Sequence, residues 1–151
     1  LGLQKKSIQG DIKVVKKFKN LGVTTIFQNQ ICTLTKNKFN CFPKKENLLE
    51  NPDLYQPLKC TLFAKNIKTE FLGLDTLINK ESDRISAVNK ELSKINSNNI
   101  IETYNDHRMA MSFAPLALKF EGLQINDIKV VNKSYPKFWN DLKKAGFIIS
   151  P

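Results

Sequence analysis

The sequence predicts an α/β fold assembled from a repeated unit. Apolar stripes at helical spacing alternate with short strand-like runs, and the same kinds of piece recur along the chain. The 151 residues are 41% hydrophobic and 25% charged, which is typical of one globular domain rather than a disordered segment.

The first elements are predicted to be a helix and a hairpin. The apolar positions of the helix are Val14 or Val15, Phe18 and Leu21. Gly22 is a typical helix stop. Two strand-like runs, Val23–Gln28 and Ile31–Lys36, flank Asn29-Gln30 and predict a hairpin.

A second helix is predicted after a polar, irregular segment at residues 37–50. Asn51-Pro52-Asp53 supplies a capping Asn and a Pro at the first helical position. The apolar stripe of this helix is Leu54, Leu58, Leu62 and Phe63. Pro57 lacks an N–H, so we expect a distorted first turn.

The second half repeats this order of elements. Thr69–Leu72 and Thr76–Ile78 are predicted to be extended, and Lys80–Arg84 to open a third helix. The predicted buried face of that helix is Ile85, Val88, Leu92 and Ile95.

Three further elements complete the chain. Asn105-Asp106 is predicted to cap a helix over His107–Leu118, Ile125–Val131 to form a strand, and Lys133–Pro136 to begin a last helix that stops at Gly146. The apolar positions of the His107 helix are Met109, Phe113, Leu116 and Ala117.

The recurring pieces indicate a βαβαββ unit, present in two copies. Only nine residues separate Ile95 from Asn105, which is too few for the hairpin found in the first copy. Either the second copy has lost its hairpin, or residues are missing from the sequence.

Composition limits the function classes. The net charge is +10, which suits nucleic acid or small polyanions, but the lysines are scattered and show no basic patch with interleaved aromatics. The scattered lysines favour a solvated lysine-rich surface. A basic nucleic-acid-binding or interaction module stays open as the alternative. No apolar run approaches the roughly 20 residues of a membrane span.

The cysteines indicate a reducing compartment. Three cysteines without a Cys-x-x-Cys pair, together with a single histidine, are too few for a Cys/His zinc site. They suggest reduced thiols in a cytoplasmic protein.

Charged residues cluster at the predicted helix starts. A helix N-terminus favours anions, so convergent starts would gather Lys80, Arg84, Arg108 and Lys133 around a phosphate or carboxylate. Asp53 and Glu81 would then be available for proton transfer. Taken singly, each of these residues is more often a cap, an ion-pair partner or a surface group, and a lone histidine such as His107 is more often simply hydrogen-bonded.

Two strings carry a family resemblance. Lys80-Glu-Ser-Asp-Arg-Ile85 resembles the Lys-Glu-[Thr/Ser]-Asp-Arg motif of EPSP synthases (3-phosphoshikimate 1-carboxyvinyltransferases), and Tyr104-Asn-Asp-His-Arg-Met-Ala-Met111 matches another of their motifs without a mismatch. Ser7–Asp11, Pro52-Asp53 and Lys133–Pro136 occur in the order that the family shows. The resemblance covers essentially the whole chain.

The resemblance implies a fold and a reaction. The family folds as two domains, each an inside-out α/β barrel of three βαβαββ units, and residues 1–151 would be a partial C-terminal domain with about the last two units. The reaction transfers the carboxyvinyl group of phosphoenolpyruvate to the 5-hydroxyl of shikimate-3-phosphate, in the shikimate pathway to chorismate and the aromatic amino acids. The resemblance implies no organic cofactor and no metal.

The resemblance also implies residue roles. Asp53 would take the 5-hydroxyl proton, and Glu81 would protonate the methylene carbon of phosphoenolpyruvate. The residues implied to bind phosphoenolpyruvate are Arg84, Arg108 and Lys133. The residues implied to bind shikimate-3-phosphate are Asp53, Lys80 and, with a weaker match to the family, Thr76. Asp106 and His107 would line the site.

The chain departs from the family in three places. Tyr55 and Pro57 stand where the family has small residues and a hydroxyl, the link between Ile95 and Asn105 is short, and the first domain is missing. The chain also begins without methionine, as a piece of a longer protein would. We therefore expect the chain to be inactive without its N-terminal domain. Glyphosate occupies the phosphoenolpyruvate site in this family, and the resemblance makes it a candidate inhibitor of the complete enzyme, without predicting how sensitive that enzyme is. A related transferase with another acceptor alcohol stays open.

Overall fold

The computed structural model describes residues 10–150, so residues 7–9 of the Ser7–Asp11 string lie outside the described residues. Within them the α-helices are α1 Val14–Asn20, α2 Tyr55–Ala64, α3 Arg84–Lys94, α4 His107–Phe113 and α5 Phe138–Lys144. The strands are β1 Val23–Gln28, β2 Ile31–Lys36, β3 Lys45–Asn47, β4 Glu70–Leu72, β5 Ile100–Ile101 and β6 Gln124–Ile125. Short 3-10 helices span Gly10–Lys13, Pro52–Leu54, Asp75–Leu77, Ala114–Leu118 and Ile128–Lys133.

The described chain divides into two compact units. The first holds residues 10–55 and 67–74, and the second holds residues 56–66 and 75–150. Helix α2 begins at the last residue of the first segment and continues in the second unit.

The first unit contains the predicted hairpin with the predicted bounds. Strands β1 and β2 pair antiparallel from Val23↔Lys36 to Gln28↔Ile31. Asn29 and Gln30 both have positive φ, at 49° and 60°. Two successive left-handed residues are what a type I′ turn requires, and this turn matches the twist of the flanking strands.

The prediction of an irregular segment at residues 37–50 was wrong in part. Strand β3 lies within it and pairs parallel with β4, with Glu46 opposite Phe71. Strand β3 has only three residues and its partner lies far along the chain, so no local pattern in the sequence could reveal the strand. Leu48 follows β3 and is fully buried.

The helix predicted after Asn51 has the expected distortion. Pro52–Leu54 form a 3-10 turn, and α2 follows from Tyr55. Pro57 is the third residue of α2. The first N–H groups of a helix have no intrahelical partner, so Pro57 costs no hydrogen bond there. Its position explains why the helix tolerates it.

The second unit contains the third predicted helix, with a later start. The prediction that Lys80 opens it was wrong, because Asp83 is the cap and accepts hydrogen bonds from Ile85 N and Ser86 N at 3.1 Å each. The helix ends near the predicted place, and Val88 and Leu92 are buried as predicted.

Two predicted extended segments in this unit are 3-10 helices. Thr76 lies in the turn Asp75–Leu77, and the strand predicted over Ile125–Val131 stops at Ile125. Val130 and Val131 are instead buried in the turn that follows, against Ala110 of α4. The β-branched run favours a strand locally, but burial against α4 overrides that propensity.

The last two helices also differ in their bounds from the prediction. Asp106 caps α4 as predicted, but α4 gives way at Ala114 to a 3-10 turn in which Ala117 is exposed. Lys133 ends a 3-10 helix and does not begin α5. Gly146 follows α5 with φ +100°, as a helix stop does.

The fold class is therefore mixed α/β. Within residues 10–150 the strands form three two-stranded sheets, one antiparallel and two parallel, and no closed barrel. In the same range, no helix has both the length and the hydropathy that a membrane crossing needs.

Candidate functional site

Asp106 is the centre of a charged cluster in the second unit. It is fully buried at the start of α4, where its Oδ1 accepts a hydrogen bond from Arg108 N at 2.9 Å. Arg84, the first residue of α3, donates Nε to Oδ2 at 2.7 Å and Nη2 to Oδ1 at 3.4 Å. Ser82 Oγ lies 3.3 Å from the same Oδ2. One carboxylate therefore joins the starts of two helices.

The buried ion pair keeps Asp106 charged. Burial by itself raises the pKa of Asp106, but the Arg84 guanidinium and the N–H of Arg108 lower it by more, so the pKa lies below its ordinary value. Arg84 has only 4% of its side chain exposed, so its contact with Asp106 offsets part of the cost of burying the guanidinium.

Glu81 and His107 lie beside this pair. Glu81 Oε2 is 3.2 Å from His107 Nδ1 and 4.0 Å from Arg84 Nη2. Glu81 has 37% of its side chain exposed, while His107 has 14%. The Nδ1 atom is buried and is not aligned for a hydrogen bond in the described residues. A partly exposed carboxyl next to an imidazole and a guanidinium can act in proton transfer.

Lys133 approaches the same loop from the end of its 3-10 helix. Its Nζ donates to Asn105 O at 2.7 Å and to Asn105 Oδ1 at 3.0 Å. Lys80 and Thr76 are exposed and precede α3, and Arg108 is half-buried in α4. The second unit thus holds all but one of the residues proposed from the sequence.

Asp53 is the exception, because it belongs to the first unit. It is half-buried in the 3-10 turn Pro52–Leu54, one residue after Pro52. Asn51 precedes it without making a side-chain cap.

Three potential metal ligands meet in the cluster. One atom each of Glu81, Asp106 and His107 lies within 4.8 Å of the others. Both oxygens of Asp106 already accept hydrogen bonds, and the Arg84 guanidinium is in contact with two of the three groups. These contacts oppose a divalent cation, so the absence of a metal stays our prediction.

Sequence reasoning missed two residues of this region, Glu91 and Tyr104. Glu91 is fully buried, and its Oε1 accepts a hydrogen bond from Tyr104 OH at 2.5 Å. A signal for Glu91 existed in the sequence. It stands three residues after Val88 and next to Leu92, at a position where the helical pattern requires an apolar side chain.

The model of the family EPSP synthase (3-phosphoshikimate 1-carboxyvinyltransferase) matches residues 1–142. The chain belongs to the EPSP synthase family. Its similarity to EPSP synthases therefore rests on most of the chain and not on the two short strings alone.

Relatives in this family share about a third of the aligned residues. The chain is 38% identical to the 3-phosphoshikimate 1-carboxyvinyltransferase of Bacteroides fragilis (strain YCH46), over 97% of this chain and 41% of the relative. It is 32% identical to the enzyme of that name from Buchnera aphidicola subsp. Acyrthosiphon pisum (strain Tuc7), over 93% of this chain and 36% of the relative. The corresponding protein of Clostridium novyi is 30% identical, over 99% of this chain and 38% of the relative.

The chain spans about two fifths of the length of these EPSP synthase relatives. The alignment with the Bacteroides fragilis protein covers 167 positions, more than the 151 residues of this chain, so that relative carries residues that this chain lacks.

Proposed function

We propose that this chain supplies the C-terminal part of the active site of an EPSP synthase. The complete enzyme would transfer the carboxyvinyl group of phosphoenolpyruvate to the 5-hydroxyl of shikimate-3-phosphate and release phosphate. The chain would be a partial C-terminal domain, about the last two βαβαββ units of an inside-out barrel. The enzyme would act in the cytoplasm, where its thiols stay reduced.

The single observation that carries the proposal is the charged cluster around Asp106. Residues from both family-like strings meet there: Glu81 and Arg84 from the first, and Asp106 and His107 from the second. Phosphoenolpyruvate carries a phosphate and a carboxylate. A partly buried group of cations with an acid beside it suits such a ligand and its protonation.

The proposed proton traffic uses two carboxyl groups. Asp53 takes the proton of the 5-hydroxyl while the hydroxyl oxygen bonds to C2 of phosphoenolpyruvate. Glu81 gives a proton to the methylene carbon. These two steps together form a tetrahedral intermediate. A proton then leaves the new methyl group, with Glu81 assisting, and the bond to phosphate breaks. The product is 5-enolpyruvylshikimate-3-phosphate.

The proposed ligand contacts follow the charges. Arg84 and Arg108 hold the carboxylate and phosphate of phosphoenolpyruvate, and Lys133 holds its phosphate. Lys80, with a smaller contribution from Thr76, contacts shikimate-3-phosphate. Asp106 fixes the plane of the Arg84 guanidinium through two of its N–H groups. A fixed guanidinium binds a planar anion with less loss of conformational entropy than a mobile one.

The test is phosphate release by two polypeptides. One is the chain alone, and the other is the chain fused behind the part of the Bacteroides fragilis relative that lies outside the match. We expect turnover with phosphoenolpyruvate and shikimate-3-phosphate from the fusion only, with glyphosate competing against phosphoenolpyruvate. In the fusion, Glu81→Gln removes the acid and lowers kcat by about 10²-fold or more.

Glu121→Gln is the matched control, because Glu121 is an exposed acid of the same unit. Its kcat should equal that of the unsubstituted fusion. A fusion that turns over with another alcohol but not with shikimate-3-phosphate overturns the substrate assignment. Turnover by the chain alone at an enzyme-like rate overturns the expectation that it is inactive without the N-terminal domain.

A further inference from the structure

The carboxylate of Glu91 is buried in α3 and takes no part in the proposed reaction. Its Oε1 accepts from Tyr104 OH at 2.5 Å, and its Oε2 accepts from Glu102 N at 3.0 Å. Lys94 Nζ lies 2.8 Å from Oε1 and 2.7 Å from Oε2. Burying a carboxylate removes its hydration, and the three donors offset that loss only while they stay in place, so Glu91 fixes the segment that supplies two of them.

That segment contains two successive residues in a rare backbone conformation. Tyr104 has φ +53° and Asn105 has φ +57°. Asn tolerates the left-handed region, but Tyr at positive φ is strained and persists only where its surroundings hold it. The hydrogen bonds from Tyr104 OH and Glu102 N to Glu91 attach this turn to α3 at two points.

The turn is the common support of the charged cluster. The carbonyl of Asn105 accepts from Lys133 Nζ. The next two residues are Asp106, which holds Arg84, and His107, which lies 3.2 Å from Glu81. A change at Tyr104 and Asn105 therefore displaces these three contacts at once, one ion pair and two contacts of a charged or titratable group.

Helix α3 contacts the segment of residues 102–106 through two of its side chains. Arg84 and Glu91 are seven residues apart, which is two helical turns, so they share one face. Arg84 holds the segment at Asp106, and Glu91 holds it at Glu102 and Tyr104. With one point released, the segment can rotate about the other.

We propose that Glu91 is a positioning residue, which acts through Tyr104 to set the left-handed turn that places Asp106, His107 and the Asn105 contact of Lys133. Its effect on catalysis rests on the function proposed above. Its effect on the turn does not.

The ionisation of the pair agrees with this role. Burial raises the pKa of Glu91, but the hydrogen bonds from Lys94, Tyr104 and the N–H of Glu102 lower it by more, so the group stays a carboxylate. Burial, and then the Glu91 hydrogen bond, raise the pKa of Tyr104, so its hydroxyl stays a donor. A hydrogen bond to a charged acceptor is about twice as strong as a neutral one.

The test compares two substitutions that break this contact with one that does not. Tyr104→Phe removes only the hydroxyl and keeps the ring under the Lys90 ammonium, 5.7 Å from the ring centroid. Glu91→Gln removes the charge at constant shape. Val88→Ala, one turn earlier on the same helix, leaves a cavity at a fully buried site and destabilises α3 without touching the contact.

The direct measurements use the chain itself. His107 is the only histidine, so its ring resonances report the position of the segment without ambiguity. We expect Tyr104→Phe and Glu91→Gln to shift these resonances and to speed hydrogen exchange of the amides of residues 102–108 by about tenfold relative to the rest of the unit. Val88→Ala should leave both unchanged relative to the rest of the unit. Unchanged His107 resonances and unchanged relative exchange in Tyr104→Phe overturn the proposal.

A kinetic measurement in the fusion separates positioning from general stability. We expect the KM for phosphoenolpyruvate to rise about tenfold in Tyr104→Phe, because Arg108 and Lys133 move away from the positions in which they hold this ligand. The KM for shikimate-3-phosphate should stay within about twofold. A structural role alone lowers the melting temperature, as Val88→Ala does, and leaves both KM values unchanged. If Glu91→Gln does not fold, Tyr104→Phe decides. If the unsubstituted fusion is inactive, the proposed function fails, and the exchange and resonance measurements still decide the role of Glu91.

Discussion

At the scale of single residues, the buried pair of Arg84 and Asp106 dominates the second unit. Both side chains are almost inaccessible, and their contact is short. Attraction in a buried environment has to offset the loss of two hydration shells, so such a pair adds little net stability when it is intact. Removing one partner is different, because the remaining charge is then buried alone.

We predict that Arg84→Met lowers the free energy of unfolding by about 3 kcal/mol, because Asp106 loses its charged donor. Urea denaturation followed by the fluorescence of the single Trp measures this. Lys45→Met is the control, since Lys45 and Glu70 form an ion pair with 68% and 54% of their side chains exposed. It should change stability by less than about 1 kcal/mol, and equal losses in the two variants would contradict the prediction.

The same pair makes the free energy of unfolding depend on pH. The folded-state pKa of Asp106 is lowered, so its contribution is fully present above the unfolded value of about 4 and is lost as the pH falls through the folded value. Glu91 adds a contribution of the same sign. We expect the unfolding free energy to decline from about pH 5 downward.

Asp106→Asn tests this assignment. The variant should be less stable than the unsubstituted chain at pH 7. The difference in unfolding free energy should narrow as the pH falls, because protonation of Asp106 in the unsubstituted chain removes the same charge that the substitution removes. Denaturation curves at pH 7, 5, 4 and 3 measure the gap. A gap that stays constant over this range would assign the acid sensitivity to other groups.

Residue types in sequence identified most of this cluster in advance. Glu81, Arg84, Asp106, His107 and Lys133 were all candidates, and they lie within one unit. Their pairing was not predictable. Which carboxylate holds Arg84 depends on how the starts of α3 and α4 approach each other, and that distance is set by packing between elements far apart in sequence.

At the scale of elements, local patterns predicted structure wherever the deciding contacts are local. The hairpin of β1 and β2 is set by two flanking runs and a two-residue turn, and it has the predicted bounds. The parallel pairs β3 with β4 and β5 with β6 were not predicted as pairs, because their partners lie more than 20 residues away. Val130 and Val131 form a turn where their β propensity favours a strand, because they are buried against Ala110.

A prediction at this scale concerns Gly73, which follows β4. It has φ +72°, and a Cβ there would lie 2.6 Å from Leu49 N. Gly73→Ala therefore adds a backbone clash to the strain of a left-handed residue, and we expect a loss of about 2–4 kcal/mol in unfolding free energy.

Gly122 is the matched control. It has φ +68°, and a Cβ added there would meet no other atom within 4 Å among the described residues. Gly122→Ala should lose only the strain, about 1–2 kcal/mol. Thermal or urea denaturation of the two variants separates the clash from the strain, and equal losses would mean that the approach of Leu49 to Gly73 relaxes at little cost.

At the scale of the whole molecule, the three cysteines differ in how exposed their thiols are. Cys41 is exposed and Cys32 half-buried in the first unit, while Cys60 is buried in α2. Burial raises the pKa of the Cys60 thiol, so it stays protonated and unreactive in the folded chain. The nearby Lys59 charge opposes this shift only in part.

We predict that iodoacetamide at pH 8 modifies Cys41 and Cys32 in the folded chain, and modifies Cys60 at least roughly a hundredfold more slowly. Peptide mass spectrometry after timed labelling measures the three rates. In urea all three should react alike. Rapid labelling of Cys60 without denaturant would show that α2 opens locally.

The net charge of +10 carries little information about function at this scale. Charge patterning alone left a nucleic-acid module open, and membership of the EPSP synthase family favours an enzyme instead. The cations that the proposal uses are a small fraction of the Lys and Arg residues. Their significance comes from the acids beside them and not from their number.

The sequence by itself determined the family, the mixed α/β class and the hairpin, because motif strings and short-range periodicity are properties of neighbouring residues. It also supplied the candidate residues for a polyanion site, which stay a prediction. Only the tertiary structure decided which parallel strands pair, that Arg84 holds Asp106, and that Glu91 holds the turn at Tyr104. The physical reason is the same in each case. These contacts join residues separated by 11 or more positions, and their energy depends on burial, which exists only after the elements have packed.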